Sequence, residues 1–182
     1  MATEDLPTPP DFEAVAAWAG AGRVVQATPR EVATWRLPEI QKAALVSCGV
    51  PLIDGVVDAA SFGTEPAMYR LAERRMDMSA ITWVYGAVPD TGHVQEVLLP
   101  ANETKFVNSS IIHWLCSLHM VGTWLGTSTV IGRWDEDEEA EEAALAELAD
   151  LLQQIKALDP PAYGDGYHRT HFWPGILDRW LY

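Results

Sequence analysis

Basic residues are scarce in this sequence. Twelve lysines and arginines face 26 aspartates and glutamates, for a net charge of −14. That balance repels nucleic acid and anionic membranes, and it attracts basic partners in a salt-dependent way. Arg74 and Arg75 form a single basic pair, far too little for a nucleic-acid footprint. Cysteine is scarce too. Cys48 and Cys116 each fall in an apolar helical pattern, where a free thiol behaves as a small hydrophobe, so a reduced pair is expected. No apolar run reaches the roughly 18 residues that a membrane span needs. The opening "MATEDLPTPPDF" lacks the positive and apolar regions of a secretory leader, so the expected location is the cytoplasm. Phosphate-loop chemistry has no footing, because "GTSTVIG" (Gly126–Gly132) carries no lysine. No serine stands in a G-x-S-x-G elbow.

What is present is apolar mass. Hydrophobic residues make up 48% of 182, with eight tryptophans, which is a folded rather than a disordered composition. The length suits one domain with a sizeable core. Residues 1–10 read as a flexible lead-in and 11–182 as a single domain.

The elements follow from spacing and punctuation. "DFEAVAAWAG" predicts a short helix capped by Asp11 and ended by Gly20. "RVVQA" suggests a short strand. "TPREVATW" starts a helix with Thr28 as cap and Pro29 at its first position. "LPEIQKAALVSCG" predicts a better helix, with Ile40, Ala43, Ala44 and Cys48 as its apolar stripe and Leu45 widening it. "VPLIDGVVDAASFG" reads as loop and short strand, and Pro66 to Met76 fits a helical turn or a strand equally. "AITWVYGAV", "HVQEVLLP" and "ETKFVN" predict three antiparallel strands joined by tight turns at "PDTG" and Asn102. "SSIIHWLCSLHMVGTWLG" is apolar almost all round and predicts a core helix. "DEDEEAEEAALAELADLLQQIKAL" predicts a second long helix, with Leu145, Leu148, Leu152 and Ile155 facing inward and carboxylates at the positive end of its dipole. "DPPAYGDGYHRTHFWPGILDRWLY" reads as a loop and a terminal apolar anchor. Together these predict a single α+β domain, a mainly antiparallel twisted sheet with packed helices.

The junction "KFVNSSIIHWL" (Lys105–Leu115) invites a catalytic reading, with two serines and a histidine. A serine nucleophile needs a base in reach and an oxyanion hole. His113, three residues past Ser110, does not by itself activate a hydroxyl. Helix capping by Asn108 or Ser109 is the more economical account.

This stretch also carries a resemblance. "FVNSS" before a long apolar helix resembles the signature of the SUKH superfamily, in particular its fourth immunity-protein subfamily. "GVPL" (Gly49–Leu52), "WVYGAVPDTGHVQEVLL", "LDP" (Leu158–Pro160) and "FW" (Phe172, Trp173) resemble other parts of that pattern in the same order. The resemblance spans Leu37 to Leu177. It implies an SUKH-like α+β fold and a non-enzymatic protein, without cofactor, that binds and neutralises a co-encoded bacterial toxin, often one acting on nucleic acid. It supplies no catalytic residues.

Three other clusters stand out. "HRTH" (His168–His171) has a metal-like spacing, with Asp165 and Asp178 as further candidates, but zinc takes three or four ligands and no second cluster is spaced for it. No metal site is expected. His113, Cys116 and His119 fit core packing. The acidic run Asp135 to Glu142 has a plain account as a solvated helix start. Its functional account is an electrostatic lure for a basic toxin. The candidate partner-binding residues are therefore Asp135, Glu136, Asp137, Glu138 and Glu139, with Trp134 and Trp173 as apolar anchors. The rivals are a regulatory or scaffolding module that binds a cellular partner, and a metal-dependent enzyme using His168 and His171.

Overall fold

The computed structural model describes residues 6–75, 82–99 and 101–178. Half of the expected lead-in (1–5), Met76, Ala80, Ile81, Pro100 and the end of the terminal anchor (179–182) lie outside the described residues. The helices are α1 (Phe12–Ala19), α2 (Pro29–Val32), α3 (Glu39–Ser47), α4 (Ile111–Thr127), α5 (Glu138–Leu158), α6 (Pro160–Tyr163) and α7 (Phe172–Asp178). The strands are β1 (Val24–Val25), β2 (Val50–Pro51), β3 (Ala59–Thr64), β4 (Tyr69–Arg75), β5 (Thr82–Ala87), β6 (Val94–Leu99) and β7 (Glu103–Asn108). β1 and β2 form a small separate pair, and β3 to β7 form a five-stranded antiparallel meander in chain order. The fold is α+β, a twisted antiparallel sheet packed against helices.

Local chemistry sets the helix ends. Asp11 accepts from the Ala14 amide at 2.7 Å, and Thr28 and Glu31 form a reciprocal capping box. The "PDTG" turn needs its glycine. Gly92 has φ 73°, and a Cβ there would lie 2.1 Å from the Gln41 side chain.

The meander has two strands beyond the expected three: β3 ends the stretch read as loop and short strand, and β4 settles the open choice at Pro66 to Met76 as a strand over its described residues. β3 is built from "AASFGT", small residues and a glycine with little strand propensity. β4 is "YRLAERR", half charged, and a register shift between Arg70 and Ala72 breaks its alternation. Each is a strand because a neighbour offers a free edge, β5 to β4 and then β4 to β3, which is a long-range fact. The terminal anchor is helical over α7.

Cross-strand pairing places Arg74 opposite Trp83, and Ala72 opposite Tyr85, which is itself opposite Glu96. These residues share the face that receives α4 and α7. Tyr85 meets Trp114 at 5.5 Å and Phe172 edge-on at 5.7 Å. Its hydroxyl donates to the Val56 carbonyl at 2.6 Å. Burial, with Glu96 adding to it, raises the phenol pKa well above its usual value. α4 is buried at every position from Ile111 to Leu118, and each large apolar side chain there contributes roughly 1.5–3 kcal/mol.

Two inward faces differ from the predicted stripes. On α3, Ile40 is exposed, while Gln41 is buried with Ala44, Leu45 and Cys48. On α5 the buried stripe is Ala144, Leu148, Leu151 and Ile155, and Leu145 is exposed. Both cysteines are free and buried. Burial first raises their thiols, to about 12 for Cys48 and about 11 for Cys116, so neither is a thiolate near neutrality.

α1 docks on α4 through Trp18. Its ring occupies the space of a missing side chain at Gly122, where a Cβ would come within 2.1 Å. Its indole N–H donates to Nδ1 of His119 at 3.0 Å. That nitrogen must be unprotonated to accept. Partial burial lowers the His119 pKa below the ordinary 6.5, against an opposing pull from Asp11. Between the lowered value and 6.5 the unfolded chain therefore binds the extra proton. The stability this contact contributes is full above 6.5 and is lost as pH falls through the folded value. Between about pH 7.5 and about pH 5, thermal unfolding of the native protein should lose more stability than that of His119→Gln, which accepts without titrating. Equal losses would refute the coupling.

Candidate functional site

The "FVNSS" junction resolves into a hydrogen-bond network. Asp159, 2% exposed, lies just past the end of α5. It accepts from Nδ2 of Asn108 at 2.9 Å, from the Ser109 amide at 2.8 Å and from the Ser109 hydroxyl at 2.7 Å. The Trp173 indole donates to Oδ1 of Asn108 at 3.1 Å. One buried knot thus joins β7, the start of α4, the end of α5 and α7.

Capping falls to a neighbour of the expected residues. Ser110, not Asn108 or Ser109, is the N-cap of α4, and its oxygen accepts from the His113 amide at 3.1 Å. Gln41 reaches in from α3 to accept from the Ile111 amide at 3.0 Å. The Ser110 oxygen also meets Nδ1 of His113 at 2.8 Å. Ser110 is 3% exposed and its oxygen is engaged as a cap, so this serine–histidine pair is architecture.

The acidic run lies on the surface. Asp135, Glu136, Asp137, Glu138 and Glu139 are all exposed. Two of them have structural roles: Glu136 pairs with Arg133 at 2.8 Å, and Asp137 caps α5 by accepting from the Ala140 amide at 2.8 Å. Asp135 and Glu136 precede the helix, and Glu138, Glu139 and Glu141 fill its first turn. The preceding loop is pinned where Glu147 accepts from the Ser128 hydroxyl at 2.5 Å and the Trp124 indole at 3.1 Å.

The tryptophans separate. Trp134 is half-buried beside the carboxylates and packs against the core. Trp173 is fully buried, with its polar edge spent on Asn108, so it is not a surface anchor. The sequence pattern placed it next to an exposed loop and carried no sign of that inward contact. Leu145 was missed for the converse reason. It is 39% exposed and follows Glu138 and Glu142 at helical spacing, an apolar side chain within an acidic stripe. A helical wheel centred on Ala144 and Leu148 would have found it.

The histidine pair holds little. His168 is exposed, and Nδ1 of His171 lies 3.0 Å from Asp165. Among the described residues no group of three or more His, Cys, Asp or Glu side chains is placed to hold a metal, and no helix is long and apolar enough to cross a membrane.

The chain matches the model of a protein family described as SUKH-4 immunity protein, over residues 10–179. No curated protein and no solved structure matches it.

Asp159→Ala should be strongly destabilising, because it strands three donors, two of them on Ser109. Equilibrium denaturation should show a loss of about 3 kcal/mol or more, and Ser110→Ala about 1 kcal/mol from the cap alone. A near-neutral Asp159→Ala would refute the central role of the knot.

Proposed function

The chain belongs to the SUKH-4 immunity protein family, and from that premise we propose that it neutralises a basic, nucleic-acid-acting toxin through the acidic start of α5. Immunity function and the binding of a cognate toxin protein follow from the family. The sign of the toxin's surface and the place of contact are the proposal.

One observation carries it. Five consecutive carboxylates, Asp135 to Glu139, stand exposed just before and at the start of α5, with exposed Leu145 two turns beyond Glu138 on one stripe. Enzymes that act on nucleic acid present basic grooves to the phosphate backbone. A facing acidic surface speeds encounter with such a groove and then fills it. Leu145 and the half-buried Trp134 offer apolar area beside the charges, where an interface can exclude water. SUKH-4 proteins are non-catalytic, so neutralisation proceeds by occupation of the toxin.

Glu136 and Asp137 hold the local structure, so the informative substitutions spare them. Asp135→Asn, Glu138→Gln and Glu139→Gln together should slow association with the cognate toxin about tenfold at low salt and flatten its salt dependence. Leu145→Ala should leave association unchanged and speed dissociation. Stopped-flow binding across a salt series separates the two. Unchanged association in the triple variant would remove the acidic surface from the mechanism and leave family function intact.

A further inference from the structure

Under α7 lies a cavity of about 310 Å³ with a different chemistry. Its walls include Arg74, Trp83, Glu96, Lys105, Arg169 and Phe172. In a chain of net charge −14, three of these six are cationic and one is anionic.

Arg74 is 2% exposed. Its Nε and Nη2 both donate to one oxygen of Glu96, at 3.0 and 2.6 Å. A guanidinium carries five N–H groups in a planar fork, so this contact uses one edge and leaves the other. Nη1 on that other edge is buried without a hydrogen-bond partner among the described residues. The indole N–H of Trp83 is also buried without one among the described residues, and the guanidinium carbon lies 5.2 Å from the Trp83 ring centre. Native proteins rarely leave such donors unpaired, and two on the walls of one cavity ask for an acceptor. Glu96 already balances the charge of Arg74. Lys105 and Arg169 form no ion pair among the described residues, so the cavity holds a surplus of positive charge.

We propose that this cavity is an oxyanion site, which takes a carboxylate or a phosphate group. The anion accepts from Nη1 of Arg74 and from the Trp83 indole, while Lys105 and Arg169 close over it. Arginine favours such groups because its fork matches two oxygens at once. The site is independent of the acidic surface and of the toxin's identity.

The test uses the full chain and follows the Trp83 indole N–H by proton–nitrogen correlation spectroscopy, with the signal assigned by its loss in Trp83→Phe. Inorganic phosphate, acetate and chloride are titrated at matched ionic strength. A saturable shift with phosphate or acetate but not chloride is expected, and whichever saturates names the ligand chemistry. Lys105→Ala with Arg169→Ala should weaken that binding about tenfold or more, as the loss of charge-assisted contacts requires. Both side chains reach solvent, so the variant should keep the fold, checked by its remaining indole signals. A response that tracks ionic strength alone, or one unchanged in the double variant, would overturn the site.

Discussion

A buried carboxylate at the end of a long helix organises much of this fold. Asp159 takes three hydrogen bonds from two consecutive residues, Asn108 and Ser109, about fifty positions earlier in the chain. Asn108 passes the constraint on to Trp173. A carboxyl group with 2% exposure is tolerable only when its oxygens are filled. Each partner is therefore under obligation to the others, and four elements are held in register at one point. Three fragments of the sequence pattern, "FVNSS", "LDP" and "FW", are the parts of this one network.

The same logic divides the other charges. The Arg74–Glu96 pair sits inside the protein, where breaking it would leave an uncompensated charge. The Arg133–Glu136 pair lies at the surface and contributes little energy beyond local order. Asp137 serves as a cap, and Glu138 and Glu139 gain from the helix dipole, so much of the acidic run is already accounted for by the start of α5. The surface charge left over, with Leu145 in its midst, is what the proposed function assigns to the toxin. Under the proposed function, stability and recognition draw on adjacent residues of one segment, which is why single substitutions there need to be chosen by role.

Local signals were legible wherever the chemistry is local. The Asp11 and Thr28 caps, the "PDTG" turn, the two long helices and the strands from β5 to β7 each rest on residues within a few positions of one another. β3 and β4 were legible only in part, as a short strand of unfixed place and as one of two open readings, because small or charged residues become strands only when a neighbouring edge supplies hydrogen bonds. The cap of α4 is Ser110, one or two residues later than the local sequence suggests. Asn108 and Ser109 are good caps in isolation, and only Asp159 diverts them.

By itself the sequence determined composition, charge sign, helix and strand periods, and the order of elements that marks an α+β domain. Tertiary structure decided which way the ambiguous side chains face. Ile40 lies outside and Gln41 inside because the Gln41 amide satisfies the first turn of α4 and the Thr91 carbonyl. Leu145 lies outside because the stripe through Ala144, Leu148, Leu151 and Ile155 is the one that meets the core. Trp173 lies inside because Asn108 offers its indole an acceptor. A helical period fixes the angle between residues but not the direction in which the helix is turned. That direction is set by distant partners, whose unsatisfied groups cost more to leave buried than any local preference can return.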